Sequence, residues 1–189
     1  MRPVLACFLC FFGFSPLFAQ HGAVATVDPL ATDAAVRVMK KGGNAIDAAV
    51  AAGLTLGVVN GYNSGIGGGC FIVARLADGR VITINGRETA PAKAHRDMYL
   101  RDGKPDTGLS QRGPLASGVP GALAAYARLA KAHGKLPLRV HLETAATVAE
   151  EGFAIPAAYA GRIRATAKGL AKFPASGALL LNANGTPKA

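Results

Sequence analysis

The segment NGRETAP, residues Asn85–Pro91, follows an apolar run that is typical of a β-strand, and it ends at a proline. It predicts a strand that passes into a loop, and such exits are where α/β proteins place ligand-binding groups. Arg87 carries a planar guanidinium, which can hold a carboxylate through two parallel hydrogen bonds. We therefore expect Arg87 to bind the carboxylate of a ligand. The alternative is a purely structural ion pair between Arg87 and Glu88.

A β-hairpin is expected to lead into this segment. Residues 70–75, CFIVAR, are apolar up to the last position, which is typical of a strand covered on both faces. Asp78-Gly79 is a hairpin turn signal, and residues 80–85 alternate as a returning strand. Cys70 begins the first strand and is interpreted as a packing residue, with a nucleophilic role as the alternative.

Two helices and a glycine-rich loop precede the hairpin. Asp28 and Pro29 are typical of a helix start, and a second helix is expected from about 45 to 59 after Asn44. The second helix is apolar nearly all round, which indicates a central buried helix. The loop SGIGGGC, residues 64–70, lies between a helix and a strand, whereas nucleotide-binding loops run from strand to helix. Close approach of the backbone to another element or to a substrate is therefore favoured.

The second half of the chain is expected to be mostly helical. Residues 93–113 are polar and rich in turn signals, which predicts a surface excursion. Helices are expected at about 120–133, 139–151 and 156–172, and no element is assigned beyond them. His141 begins a sequence that resembles part of a zinc deaminase signature, but the paired cysteines of that signature are absent. We expect neither a metal nor a cofactor.

Composition indicates a folded protein with a proper core. The chain has 189 residues, of which 50% are hydrophobic and 17% charged, which excludes a disordered chain. The formal net charge is +10. No run of basic residues exceeds two and aromatic residues do not alternate with them, so nucleic-acid binding is not expected. The positive charge could instead attract a small anion.

The amino terminus is typical of a secretory signal. Residues 1–19 contain an early arginine, an apolar stretch and a small-residue cleavage site, and the stretch is too short to span a membrane. Cys7 and Cys10 lie inside this signal, so Cys70 remains alone and no internal disulfide is expected. We expect a periplasmic or secreted protein with no membrane attachment after cleavage.

Six short motifs occur in an order that is similar to the amino-terminal part of the large subunit of γ-glutamyltranspeptidases, also called glutathione hydrolases. They are distributed along most of the chain between residues 22 and 156. They are PLA at 29–31, GGNAIDAAV at 42–50, SGIGGG at 64–69, GRETAP at 86–91, SGVPG at 117–121 and EEGF at 150–153.

This resemblance implies an α+β chain forming part of an Ntn-hydrolase fold, the four-layer αββα sandwich, incomplete without the carboxy-terminal half. It implies a substrate such as glutathione and a small subunit whose first residue is a threonine nucleophile. Arg87 would grip the α-carboxylate of the γ-glutamyl group, and Glu88 would orient Arg87. The family's Thr-Thr-His segment does not occur in the sequence. We therefore expect residues 20–189 to be a truncated large subunit with no catalytic residue of its own.

Two alternatives to that enzyme remain open at this stage. One is a non-catalytic secreted module that binds γ-glutamyl compounds, and the other is a cephalosporin-acylase-like hydrolase on the same scaffold. We also expect exposed apolar strands to make the isolated chain unstable and prone to aggregation.

Overall fold

A computed structural model describes residues 22–188, so the expected signal at residues 1–19 lies outside the described part of the chain. The first half contains two helices and a hairpin, and the second half is mostly helical. In chain order the elements are α1 (Pro29–Lys40), α2 (Ala45–Val59), β1 (Cys70–Arg75), β2 (Val81–Gly86), β3 (Leu100–Arg101), β4 (Lys104–Pro105), α3 (Thr107–Gln111), a 3-10 turn (Pro114–Ala116), α4 (Ala122–His133), α5 (Leu138–Glu151), α6 (Ala157–Leu170) and α7 (Pro174–Leu180).

The first two helices begin where their capping residues predict. Asp28 Oδ1 accepts a hydrogen bond of 2.9 Å from the backbone N–H of Leu30, which satisfies a free donor in the first turn of α1. Asn44 and Asp47 form a reciprocal capping box at the start of α2. α2 lies between α1, α4 and α5, as expected for a central helix. It is not buried all round, however, because Ala49 is exposed.

The main core lies where α2 meets α4, α5 and the inner face of the hairpin. Its buried members are Val50, Leu54, Leu129, Ala130 and Ala145. The hairpin adds Ile72, Ile82 and Ile84, which pack against this cluster from β1 and β2. A smaller alanine-rich cluster joins α1 to α2, where short side chains let the two helices approach closely.

The hairpin forms as expected, but its predicted burial on both faces is wrong. β1 and β2 pair antiparallel, with Cys70 opposite Gly86 and Arg75 opposite Val81. Inner residues are half-buried, whereas Phe71 and Val73 are 71% and 73% exposed. Successive strand residues point to opposite faces of the hairpin. Within residues 22–188 the helices cover only one of these faces, so half of the apolar run is exposed.

The predicted surface excursion and the downstream helices are present, with one addition. Residues 93–113 contain the small β3–β4 hairpin, turning at Asp102 and Gly103, and the short helix α3. α6 ends at Leu170, and α7 follows in a stretch that had no assigned element. Between residues 22 and 188, no helix is both long and apolar enough to cross a bilayer.

A buried Asp47–His141 pair joins the start of α2 to α5. Both side chains are fully buried, and His141 Nε2 lies 3.1 Å from Asp47 Oδ1. The carboxylate also accepts backbone N–H bonds from Asn44 (2.9 Å), Lys135 (2.8 Å) and Leu136 (3.2 Å). Among residues 22–188, no group of three or more histidine, cysteine or acidic side chains could hold a metal ion.

The Asp47 carboxylate is charged despite its burial. Burial alone would raise its pKa, but the three backbone N–H bonds and the His141 imidazole outweigh burial and hold the pKa below the ordinary 3.8. No pattern in the sequence links Asp47 to His141. The two residues are 94 positions apart, and only the packing of α5 on α2 brings them together.

Candidate functional site

Three of the sequence motifs meet beside the carboxy-terminal end of α2. The carbonyl of Gly68, in the glycine loop, accepts hydrogen bonds of 3.1 Å from the N–H groups of Gly121 and Ala122 and so caps α4. Thr89 and Val119 exchange backbone hydrogen bonds of 3.2 and 2.8 Å. The glycine loop, the Arg87 segment and the SGVPG segment therefore form one backbone unit.

Glycine is required where these segments touch. A Cβ at Gly69 would lie 2.7 Å from Arg87 Cα and 2.8 Å from the Gly86 carbonyl oxygen. A Cβ at Gly121 would lie 2.5 Å from that same oxygen. Real Cβ atoms are not found at such distances, so the close backbone approach predicted for the glycine loop is confirmed.

Arg87 lies just beyond β2 and contacts three neighbouring side chains. Its backbone N–H donates to Asn85 Oδ1 at 3.0 Å, and its side-chain Nε lies 3.3 Å from Glu88 Oε2. Its Cζ lies 5.8 Å from the centre of the Phe71 ring, which is within the range of a cation–π contact. The side chain is nevertheless 58% exposed. It can therefore meet a ligand while its position is restricted.

Glu88 packs on the glycine loop as well as against Arg87. A Cβ on Gly68 would lie 3.2 Å from Glu88 Oε1, and one on Gly69 would lie 2.7 Å from Oε2. Oε2 is buried and has no hydrogen-bond partner among residues 22–188. Its 3.3 Å contact with Arg87 is thus an ion pair without hydrogen-bond geometry. The Arg87–Glu88 ion pair, which was the structural alternative in the sequence analysis, is therefore present, and it leaves the Arg87 side chain exposed.

A cavity of ≈ 640 Å³ lies over this unit. The end of α2 and the glycine loop form most of its wall, and Arg87 and Glu88 are its charged lining residues. The volume is that of a small-molecule site. The complete lining is Gly57, Gly61, Tyr62, Asn63, Ser64, Gly65, Gly67, Gly68, Gly69, Arg87 and Glu88.

Cys70 directly follows the last glycine of the glycine loop but is poorly suited to nucleophilic attack. Burial, and then the charge of Glu88, raise the pKa of its thiol above the ordinary 9.0. The thiolate is the reactive form of cysteine, so a raised pKa keeps the side chain inert. The packing interpretation of Cys70 is therefore favoured.

Two cavity residues and one neighbour of Arg87 were not found from the sequence. Tyr62 and Asn63 lie in the loop after α2 and carry no recognisable pattern. Phe71 could have been found, because the hairpin register sets it opposite Asn85. Arg87 lies two residues after Asn85 and thus on the same face of the hairpin, since strand side chains alternate with a period of two.

Comparison with known proteins agrees with this architecture. The family profile described as Gamma-glutamyltranspeptidase matches residues 31–189. The chain is 41% identical over 152 residues to the glutathione hydrolase proenzyme of Escherichia coli (strain K12), covering 80% of this chain and 26% of that protein. It is 40% identical over 173 residues to the acylase ACY 1 proenzyme of Pseudomonas sp. (strain V22), covering 88% and 31%.

A solved structure supports the fold directly. The crystal structure of Helicobacter pylori gamma-glutamyltranspeptidase superposes with a TM-score of 0.84 at 35% identity, covering 89% of this chain and 48% of that chain. The predicted α+β fold, part of an Ntn-hydrolase αββα sandwich, is thereby confirmed. The chain spans about a quarter of the length of the Escherichia coli relative, at 26%. On these observations the chain belongs to the γ-glutamyltranspeptidase family.

Proposed function

We propose that residues 20–189 are the amino-terminal part of the large subunit of a γ-glutamyltransferase/glutathione hydrolase. Such an enzyme cleaves γ-glutamyl amide bonds and passes the γ-glutamyl group to water, an amino acid or a peptide. The observation that carries the proposal is the exposed Arg87 guanidinium at a cavity of ≈ 640 Å³ in a chain of this family. We further propose that residues 1–19 are a signal peptide and that the protein is periplasmic or secreted.

Arg87 is suited to recognise one end of a γ-glutamyl donor. Such a donor, glutathione for example, carries an α-carboxylate several bonds away from the γ-amide that reacts. A guanidinium binds a carboxylate in a defined plane and direction. With its Nε 3.3 Å from Glu88 Oε2 and its backbone N–H bonded to Asn85, Arg87 would fix the distance from the carboxylate to the reacting carbonyl.

Glu88 would act on the substrate through Arg87. Its carboxylate rests on the glycine loop and lies 3.3 Å from Arg87 Nε, so it restricts the rotation of the guanidinium. It would also keep a negative charge in the cavity, which could attract the α-ammonium of the donor.

The nucleophile is proposed to come from outside this chain. It would be the amino-terminal threonine of a small subunit, with its own amino group as the general base. The hydroxyl would attack the γ-carbonyl, the amine of the leaving group would depart with a proton, and water or an amine would release the acyl group. We assign no catalytic residue and no cofactor within residues 20–189.

A cephalosporin-acylase-like hydrolase is the second candidate. The acylase ACY 1 proenzyme of Pseudomonas sp. (strain V22) is 40% identical over 173 residues. An acyl group that ends in a carboxylate, but carries no α-ammonium, would satisfy Arg87 equally well. Comparison of glutamyl and glutaryl amides would separate the two activities. A binding module that lacks catalysis would retain affinity for both and turn over neither.

We predict that Arg87→Lys strongly weakens the use of γ-glutamyl donors. Lysine keeps the charge but loses the bidentate geometry, so transition-state binding should fall by about 1.5–3 kcal/mol, or more than tenfold in kcat/KM. The measurement uses a complete enzyme, with both the large and the small subunit, in which residues 20–189 form the amino-terminal part of the large subunit. Donors with a free α-carboxylate are compared with the corresponding α-amides.

Arg80→Lys is the matched control, because Arg80 is an exposed arginine of the same hairpin, paired with Asp78 and remote from the cavity lining. It should leave donor selectivity unchanged. If Arg87→Lys were equally active, or lost activity equally for both donor types, Arg87 would not be the carboxylate anchor.

A further inference from the structure

Phe71 is the apolar neighbour of the Arg87 guanidinium on the outer face of the hairpin. Its ring centre lies 5.8 Å from Arg87 Cζ, and its cross-strand partner is Asn85, which accepts the Arg87 N–H. Phe71 is 71% exposed among residues 22–188 and does not belong to the main core. The ring therefore contacts the guanidinium from the first strand, while Glu88 contacts it from the chain that follows the second strand.

We propose that Phe71 is a positioning residue that orients Arg87 for the carboxylate of the substrate. This inference rests on the proposed function of Arg87 and extends it to a residue that makes no contact with the substrate itself. The negative face of an aromatic ring attracts the guanidinium without consuming its N–H donors. Those donors stay available to the substrate carboxylate. A second acidic residue in place of Phe71 would compete with the substrate for the same donors.

The two contacts restrict different motions. The Nε–Glu88 contact limits rotation of the guanidinium about the end of the side chain, and the Phe71 ring limits movement away from the sheet surface. Arginine has many rotamers when it is free, and binding a ligand must otherwise freeze them. Phe71 thus reduces the conformational entropy that the Arg87 side chain loses when it binds a carboxylate.

A double-mutant cycle tests this proposal on the same complete enzyme. Phe71→Leu keeps an apolar side chain but removes the ring face, and it should lower kcat/KM for γ-glutamyl donors by about two- to five-fold. Most of the change should appear in KM, because the interaction with the carboxylate is made before and during reaction. Phe71→Tyr keeps the ring and should restore the activity of the unmodified protein.

In the Arg87→Lys background, Phe71→Leu should have a clearly smaller effect, since a lysine ammonium occupies a different position from the guanidinium. Val73→Thr is the control, because Val73 is 73% exposed on the same strand and face, and its cross-strand partner is Thr83, four residues before Arg87. It should leave KM unchanged in both backgrounds.

A measurement without turnover uses NMR of Arg87 in the same proteins. The Nε–H and Cδ–H resonances of Arg87 should shift on Phe71→Leu through loss of the ring current, and they should be unaffected by Val73→Thr. An equal kinetic effect of Phe71→Leu in both backgrounds, or an unchanged Arg87 spectrum, would overturn the role of Phe71. If Arg87→Lys loses selectivity for donors with a free carboxylate and Phe71→Leu does not, the proposed function of Arg87 is still supported. Failure of the Phe71 proposal can therefore be distinguished from failure of the proposed function.

Discussion

At the scale of single residues, the position of Arg87 depends on a glycine in another segment. Gly121 lies directly against the backbone of Gly86 and Arg87, whose carbonyl oxygens would be 2.5 and 2.7 Å from an added Cβ. Backbone atoms cannot move aside as a flexible side chain can. The absence of a side chain at Gly121 is therefore a condition for the geometry of Arg87.

We predict that Gly121→Ala lowers the free energy of unfolding by about 1–3 kcal/mol, because the methyl group must displace backbone. Urea denaturation of the chain measures this. Gly161→Ala in α6 is the control, since a Cβ there meets no atom within 4 Å. In a helix interior it should stabilise by about 0.5–1 kcal/mol. Equal stability of the two variants would contradict the packing described for Gly121.

At the scale of elements, local signals predicted more than long-range packing did. The caps at Asp28 and Asn44 located α1 and α2, and the turn signal at Asp78-Gly79 located the hairpin. The helix α7 was missed because it is short and contains Gly177, which weakens a helical pattern. Arg87 and Glu88 line the same cavity, as two neighbouring residues of one motif would be expected to, and their roles stay predictions.

The Asp47–His141 pair could not be predicted in this way. Sequence patterns identify a capping residue, but they do not show which distant loop will also donate to its carboxylate. In the folded chain Asp47 serves the α2 cap and the loop before α5 at once. This single side chain therefore couples two helices that are distant in sequence.

We predict that Asp47→Asn destabilises the chain by about 1–3 kcal/mol at neutral pH, because an amide cannot accept all of these N–H bonds. The lowered pKa of Asp47 sets the pH dependence. Its stabilising contribution is complete above the ordinary pKa of 3.8 and is lost as the pH falls through the lower folded-state value. The stability difference between the two proteins should therefore shrink in acid.

Asp33→Asn is the control for this experiment, because Asp33 is an exposed aspartate on α1. It should change the free energy of unfolding only slightly in the same denaturation series. A difference between the unmodified protein and Asp47→Asn that stays constant into the acid range would show that the Asp47 charge does not contribute.

At the scale of the whole molecule, the exposed apolar face of the β1–β2 hairpin is the surface expected to cause self-association. Phe71, Val73 and Val81 are 71%, 73% and 61% exposed on the outer side of the hairpin. The hairpin is a sheet of two strands, so each strand also has an unpaired edge among residues 22–188. Exposed edges and apolar faces together favour association between chains.

We predict that Val73→Thr combined with Val81→Thr reduces self-association of the chain without a large loss of stability. Threonine has nearly the shape of valine and a high β-propensity, so the hairpin should be retained. Static light scattering as a function of concentration measures the association. Leu179→Gln, at an equally exposed site of 73% in α7, is the control and should change the scattering much less. Similar scattering from both variants would remove the hairpin as the associating surface.

The backbone unit formed by the glycine loop, the Arg87 segment and the SGVPG segment has a consequence for protein engineering. The Gly68 carbonyl caps α4, and Thr89 and Val119 bond to each other, so the SGVPG segment is bonded to both of the others. Exchange of one segment alone between relatives would join mismatched surfaces. Productive hybrids would carry all three as a block. A breakpoint in the solvent-facing stretch of residues 93–113 would separate Thr89 from Val119 and should be avoided.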